Sequence, residues 1–232
     1  MLTSRLNDAA ILLHLSLNDN GINYAVIGGF AITHFGGNRQ TKDIDCIANA
    51  SKEQIIDALD TEAGLVVVSQ DRNDYVGVSW PDRPDRGNTV LIHIFCSVYP
   101  GARFPNALFR FETHEVKGDT FGNGVVSFHE PFYLFKAALR AAGARSNFLD
   151  SVDLRWLVQR YTTEIKVRRH KIHLVDVGRA LKQHPNLEGC FDPLGIDITK
   201  AKIAAKDFIP ARYSSQRLED PPKGLFDSLA DS

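Results

Sequence analysis

Residues Gly28–Asp45 read GGFAITHFGGNRQTKDID, and the fold turns on this stretch. The preceding YAVI, Tyr24–Ile27, is aromatic and β-branched enough for a short strand. Gly28-Gly29 break it, and FAITHF reads as a helix or helical turn. Glycine lets backbone approach a ligand closely, and a helix start offers free N–H groups to a phosphate. A Gly-Gly pair at such a turn is also commonly only a turn. The stretch then ends on a second strand, DIDCIA, Asp43–Ala48. Asp43 and Asp45 are two apart, so a strand puts both carboxylates on one face and turns Ile44 and Cys46 to the other. Two adjacent acids repel and resist burial. A hard cation such as Mg²⁺ or Mn²⁺ relieves that repulsion. A solvated strand edge, or pairing with Arg39 and Lys42, relieves it equally; those two cations also suit a triphosphate.

Outward from this stretch, Leu6, Ala10, Leu13 and Leu17 mark a helix from about Ser4, ended by Asn20-Gly21. Ser51 with Gln54 forms a capping box for a helix through about Leu59. LVVVS, YVGVSW and TVLIHIFC read as three more strands, the last two separated by the polar turn PDRPDRGN. A βαβαβ-like opening with neighbouring strands implies an α/β sheet. Composition changes near residue 128. HEPFYLFKAALRAAGA, His129–Ala144, is a helix with Pro131 in its first turn, and DSVDLRWLVQRY, Asp150–Tyr161, is another with Trp156 read as core. Further helical patterns lie around His173–Gln183 and Thr199–Asp207. The expected organisation is an α/β core over residues 1–128, a helical lobe over 129–209 and an extended or disordered tail over 210–232.

The 232 residues carry 27 basic and 28 acidic side chains, a net charge of −1. That balance gives no global attraction to nucleic acid or to anionic membrane, and no apolar run is long enough to span a bilayer. The basic run Glu164–Lys182 reads as the solvated face of a helical hairpin, and nucleic acid is not the expected partner. Three scattered cysteines suggest neither disulfides nor a zinc module. His170 and His173 lack further ligands nearby. With no secretion signal read, a reducing, cytoplasmic setting is expected. Oligomeric state is left open.

A glycine pair, a spacer of thirteen residues and Asp-x-Asp together resemble the nucleotidyltransferase superfamily with the DNA polymerase beta type of fold. GGNRQTKDIDCIA is similar to the Arg-x-Thr-x-Asp-hydrophobic-Asp core of its small stand-alone and antitoxin-like members. SFHEPFYLFKAALRAAGARSNFLDSVDLRWLV resembles their helical lobe, with Lys136 on the first helix. The resemblance covers residues 20 to 160. It implies a mixed sheet flanked by helices, an α/β (α+β) class with a C-terminal helical lobe. It also implies transfer of a nucleoside monophosphate from an NTP to a hydroxyl or another acceptor. In such members the glycine pair holds the triphosphate, and Asp-x-Asp binds two metals. A third carboxylate on a neighbouring strand completes the cage and activates the attacking group. Two metals then clamp the attacking and leaving oxygens of an in-line displacement.

Here the third acid is missing. The strand that should carry it is NTVLIHIFCS, the matching position is His93, and no Asp or Glu occurs between Asp85 and Glu112. Two carboxylates and an imidazole offset two divalent charges less well than three carboxylates, and imidazole is a poor Mg²⁺ ligand. His93 remains a candidate base, or a core histidine between Leu91 and Phe95.

The leading expectation is an NTP-binding nucleotidyltransferase homologue with a degenerate site. Asp43 and Asp45 are metal ligands, His93 the substituted third residue, Gly28 and Gly29 phosphate contacts, and Arg39, Lys42 and Lys136 charge partners, with Mg²⁺ or Mn²⁺ as cofactor. A second reading recruits the cleft, walled by Phe30, Tyr75 and Trp80, to a small hydrophobic substrate. That would be a cofactor-free cyclase or pericyclase of a biosynthetic pathway, working by holding a reactive conformer. A third is a non-catalytic nucleotide-binding or regulatory protein.

Overall fold

A computed structural model of the chain describes residues 2–59, 64–68, 72–81, 89–98 and 110–210. The turn PDRPDRGN beyond its first proline and the tail after Pro210 lie outside these. The chain divides into two compact units, one ending at Glu130 and the other beginning at Pro131.

The first unit is built on a mixed seven-stranded sheet: β1 Tyr24–Ile27, β2 Asp43–Ala48, β3 Val66–Val68, β4 Tyr75–Trp80, β5 Val90–Cys96, β6 Phe111–Lys117 and β7 Asn123–His129. Their order across the sheet is β3-β4-β5-β2-β1-β7-β6. The expected βαβ opening would make β1 and β2 parallel. They are antiparallel, with Ile27 opposite Asp45. The reason is local: α2, Gly28–His34, is only seven residues long, and the 36–42 segment folds back so that β2 returns beside β1. Thr33 Oγ1 donates to both the Gly29 carbonyl at 3.0 Å and the Arg39 carbonyl at 2.9 Å, tying the returning segment to the helix.

One face of the middle strands is buried throughout, and the other is partly open. Ile44 and Cys46 on β2, Ile92 and Ile94 on β5, and Val76 and Val78 on β4 are all sealed. The α1 helix, Leu2–Asp19, covers this face: its His14 Nδ1 lies 3.1 Å from the Tyr24 hydroxyl, and its Ile11 packs so tightly on Gly124 that an added Cβ would meet it at 2.7 Å. The α3 helix, Lys52–Ala58, opens on the expected capping box, with both reciprocal Ser51–Gln54 bonds formed. Burial of these side chains at about 25 cal/mol per Å² is what fixes the sheet register, since a one-residue slip would expose the whole row.

The second unit is helical: α4 Pro131–Ala144, α5 Phe148–Val167, α6 Leu174–Gln183, the short α7 Glu188–Phe191 and α8 Ile198–Ala204. Asn147 caps α5 and Asp197 caps α8, each side chain accepting a backbone N–H. The α5 helix runs past its expected end, through non-helical dihedrals at Tyr161. Trp156 is half-buried beside Tyr161 rather than in the core, with ring centroids 6.0 Å apart. No helix among the described residues is long and apolar enough to cross a membrane.

Candidate functional site

Direct pairing across a sheet puts opposed residues on the same side. One row runs Val68, Gly77, His93, Asp45, Ile27 across β3, β4, β5, β2 and β1. The neighbouring row runs Val66, Ser79, Leu91, Asp43. Asp43, Asp45 and His93 therefore share a face, and all three are half-buried. This is the face that α1 does not cover.

The glycine pair borders the same hollow. Gly28 has φ +67°, a left-handed conformation that favours glycine, and a Cβ there would sit 2.7 Å from Asp45 Oδ2. A Cβ on Gly29 would meet both Arg39 Nε and Thr41 Oγ1 at 2.9 Å. So a side chain at either glycine would force Asp45, Arg39 or Thr41 to shift, and Arg39 and Thr41 lie against the turn. Thr41 Oγ1 donates to Asp43 Oδ1 at 2.7 Å, holding one carboxylate oxygen and fixing that side chain's orientation. Lys42 is exposed. On the opposite strand face, Cys46 is fully buried; burial and the Asp45 carboxylate push its thiol well above the ordinary range. It is a core thiol, as is Cys96, which burial raises to about 12.

His93 is held from the far side. Its Nδ1 is hydrogen-bonded to the Tyr75 hydroxyl, with the rings 5.8 Å apart and 28° from parallel. The Arg72 guanidinium lies over the Tyr75 ring, 5.4 Å from its centroid, and grips Asp74 with two bonds of 2.9 and 3.0 Å.

The sequence expectations for the other site residues divide. Phe30 is 1% exposed, packed in the core against Phe128 at 5.8 Å, and does not wall the cleft. Trp80 is 3% exposed and lies five residues from Tyr75, hence on the sealed face with Val76 and Val78, near Phe121. Tyr75 is on the open face but reaches the hollow through His93. Lys136 is buried on α4 in the helical unit. What the sequence reading missed is the Thr41 and Tyr75 support and the exposed apolar side chains beyond His93. Leu91 is 44% exposed and Val66 53%.

The donor set fits one divalent cation rather than two. Mg²⁺ is commonly held by one or two carboxylates together with substrate phosphates. Asp43 and Asp45 could supply that pair, on the face that the Gly28 turn borders. No cluster of three or more His, Cys, Asp and Glu able to hold a metal occurs among the described residues.

The chain is similar to solved structures that carry nucleotidyltransferase descriptions. An antigenic nucleotidyltransferase-like protein from Paracoccidioides brasiliensis is 16% identical with a TM-score of 0.53, covering 82% of this chain and 93% of its own. This chain has a nucleotidyltransferase-like fold. A protein from H. pylori described as a nucleotidyltransferase is also 16% identical, at TM-score 0.43, covering 88% and 95% of the two chains. A tRNA nucleotidyltransferase solved with primer tRNA and an ATP analogue is 12% identical at TM-score 0.31, and this chain spans only 60% of it. No protein-family model and no curated protein sequence matches the chain.

Proposed function

We propose that this nucleotidyltransferase-like chain binds a nucleoside triphosphate with one divalent cation and transfers the nucleoside monophosphate to a hydroxyl of a small acceptor. One observation carries the reading: the left-handed turn at Gly28 stands against Asp45 Oδ2, 2.7 Å from where a Cβ would sit. The turn and the acid pair therefore border one hollow. Asp43 and Asp45 would hold the cation, which neutralises phosphate charge when bound. Gly28 and Gly29 leave room for phosphate oxygens to approach backbone, and Arg39 and Lys42 supply positive charge at the entrance. In the reaction the acceptor oxygen bonds to the α-phosphorus, the bond from that phosphorus to the pyrophosphate oxygen breaks, pyrophosphate leaves, and the hydroxyl proton passes to solvent water.

A single cation and no third carboxylate mean weaker charge stabilisation, so turnover is expected to be orders of magnitude below a three-carboxylate site. The second reading, a metal-independent cyclase on a small hydrophobic substrate, draws support from Leu91, Val66 and Val68, exposed on the same face as His93. A flat apolar substrate has a surface there that a phosphate does not use. The two separate in one experiment. Melting temperature is followed with ATP, GTP, CTP and UTP, each with and without Mg²⁺. A nucleotide that raises it only with cation supports the nucleotide and cation site that transfer requires. No rise with any of the four, with turnover of an apolar substrate in EDTA, supports the second reading instead.

A further inference from the structure

The group facing Asp45 across the open face is held by a chain of contacts that nothing in the transfer reading uses. It runs Asp74, Arg72, Tyr75, His93. Asp74 is anchored to the sheet, its carbonyl accepting from the Cys96 N–H at 2.9 Å, and its carboxylate locks Arg72 through the bidentate bond. Arg72 stands over the ring of Tyr75, which is 5% exposed and tilted against Phe95 at 5.6 Å. Tyr75 in turn bonds His93 Nδ1.

A neutral imidazole has one donor and one acceptor nitrogen, and whatever holds one decides the other. A cation beside a phenol stabilises its electron-rich oxygen and makes the O–H the better donor. Arg72 therefore favours the arrangement in which Tyr75 donates and Nδ1 accepts. The proton of His93 then resides on Nε2. That nitrogen has no lone pair left for a metal or for a substrate proton. It is a hydrogen-bond donor on the face where Asp43 and Asp45 are acceptors.

We propose that Tyr75 is a positioning residue that holds His93 as the Nε2–H tautomer, so that His93 donates a hydrogen bond to an anionic oxygen of the ligand and binds no cation. The position where a carboxylate would hold a metal thus contacts the ligand directly. This rests on the cleft being a phosphate site, and the test keeps the two ideas apart.

The chain is labelled with ¹⁵N-histidine and the ring nitrogens are read by NMR, with the His93 signals assigned by their loss in His93→Gln. Ligand-free protein should show Nε2 protonated and Nδ1 unprotonated. Tyr75→Phe, which removes only the hydroxyl, should give a tautomer mixture, and Arg72→Gln should shift the balance the same way while leaving Tyr75 in place. Inorganic pyrophosphate should bind Tyr75→Phe about fivefold more weakly than the parent, the size of one hydrogen bond. Nδ1 protonated in the parent, or a tautomer unchanged in Tyr75→Phe, overturns the proposal. Loss of the Nε2 proton on addition of diamagnetic Mg²⁺ alone also overturns it. The expected tautomer with no pyrophosphate binding overturns the ligand contact and the phosphate reading of the cleft, and leaves the Tyr75–His93 arrangement standing.

Discussion

The two faces of the central strands are one residue apart in sequence and opposite in character. On β2, Ile44 and Cys46 are sealed while Asp43 and Asp45 stand half-open; on β5, Ile92 and Ile94 are sealed while Leu91 and His93 are not. The sealed face holds the sheet to α1 and leaves no room for chemistry. The open face carries carboxylates, an imidazole and exposed apolar side chains, groups that add little to the core. Period-two alternation thus lets strands of six and seven residues carry a sealed row beside a half-open one.

That separation can be broken by substitution. Ile94→Ala should cost roughly 3 kcal/mol of folding free energy by leaving a cavity on the sealed face. Asp45→Asn, one strand over on the open face, should stay within about 1 kcal/mol of the parent. Urea unfolding of both variants checks this, and equal losses would mean that both faces are structural.

Gly28→Ala sharpens where the faces meet. A left-handed alanine costs about 1–2 kcal/mol, and its Cβ would press on Asp45 Oδ2. The clash should be relieved in part by Asp45→Ala in the same chain. A double-mutant cycle reads this, and strictly additive losses would separate the turn from the acid.

A smaller effect comes from pH. His129 is fully buried, and burial holds its imidazole down to about 4, although Nδ1 donates to the Arg110 carbonyl at 2.9 Å. His34, stacked on Phe128 at 4.0 Å, is likewise held to about 4 by burial and by His114. Both folded values lie below the ordinary 6.5, so the unfolded chain takes up protons that the folded chain refuses. Stability should be full above about pH 6.5 and fall progressively toward pH 4. Urea midpoints at pH 7 and pH 5 measure the fall, and His129→Gln should flatten it. A slope unchanged in that variant would assign the loss to other groups.

Much of this was legible in the sequence, for physical reasons. Gly28-Gly29, the spacer and Asp43-x-Asp45 are local, so strand parity alone placed both acids together. Ser51 and Gln54 wrote their own capping box. β6 was not legible: FETHEVK is an edge strand whose Glu, His and Lys suit solvent and obscure the apolar alternation. Parity was also the tool that should have removed Trp80, since five residues from Tyr75 is an odd number. Phe30 reads as a wall only if its short helix faces the cleft, which tertiary packing decides. The Tyr75–His93 bond depends on the register of β4 against β5, set by contacts far apart in the chain.

The account stands on the open face being a nucleotide and cation site. Binding of Mn²⁺, counted by electron paramagnetic resonance in the presence of excess protein and limiting ATP, tests it most directly. Parent protein should hold one Mn²⁺ per bound ATP in a protein-bound environment, Asp45→Asn should leave the spectrum of free Mn²⁺–ATP, and His93→Asp should bind the ion more tightly. A spectrum from Asp45→Asn identical to that of the parent would contradict the account.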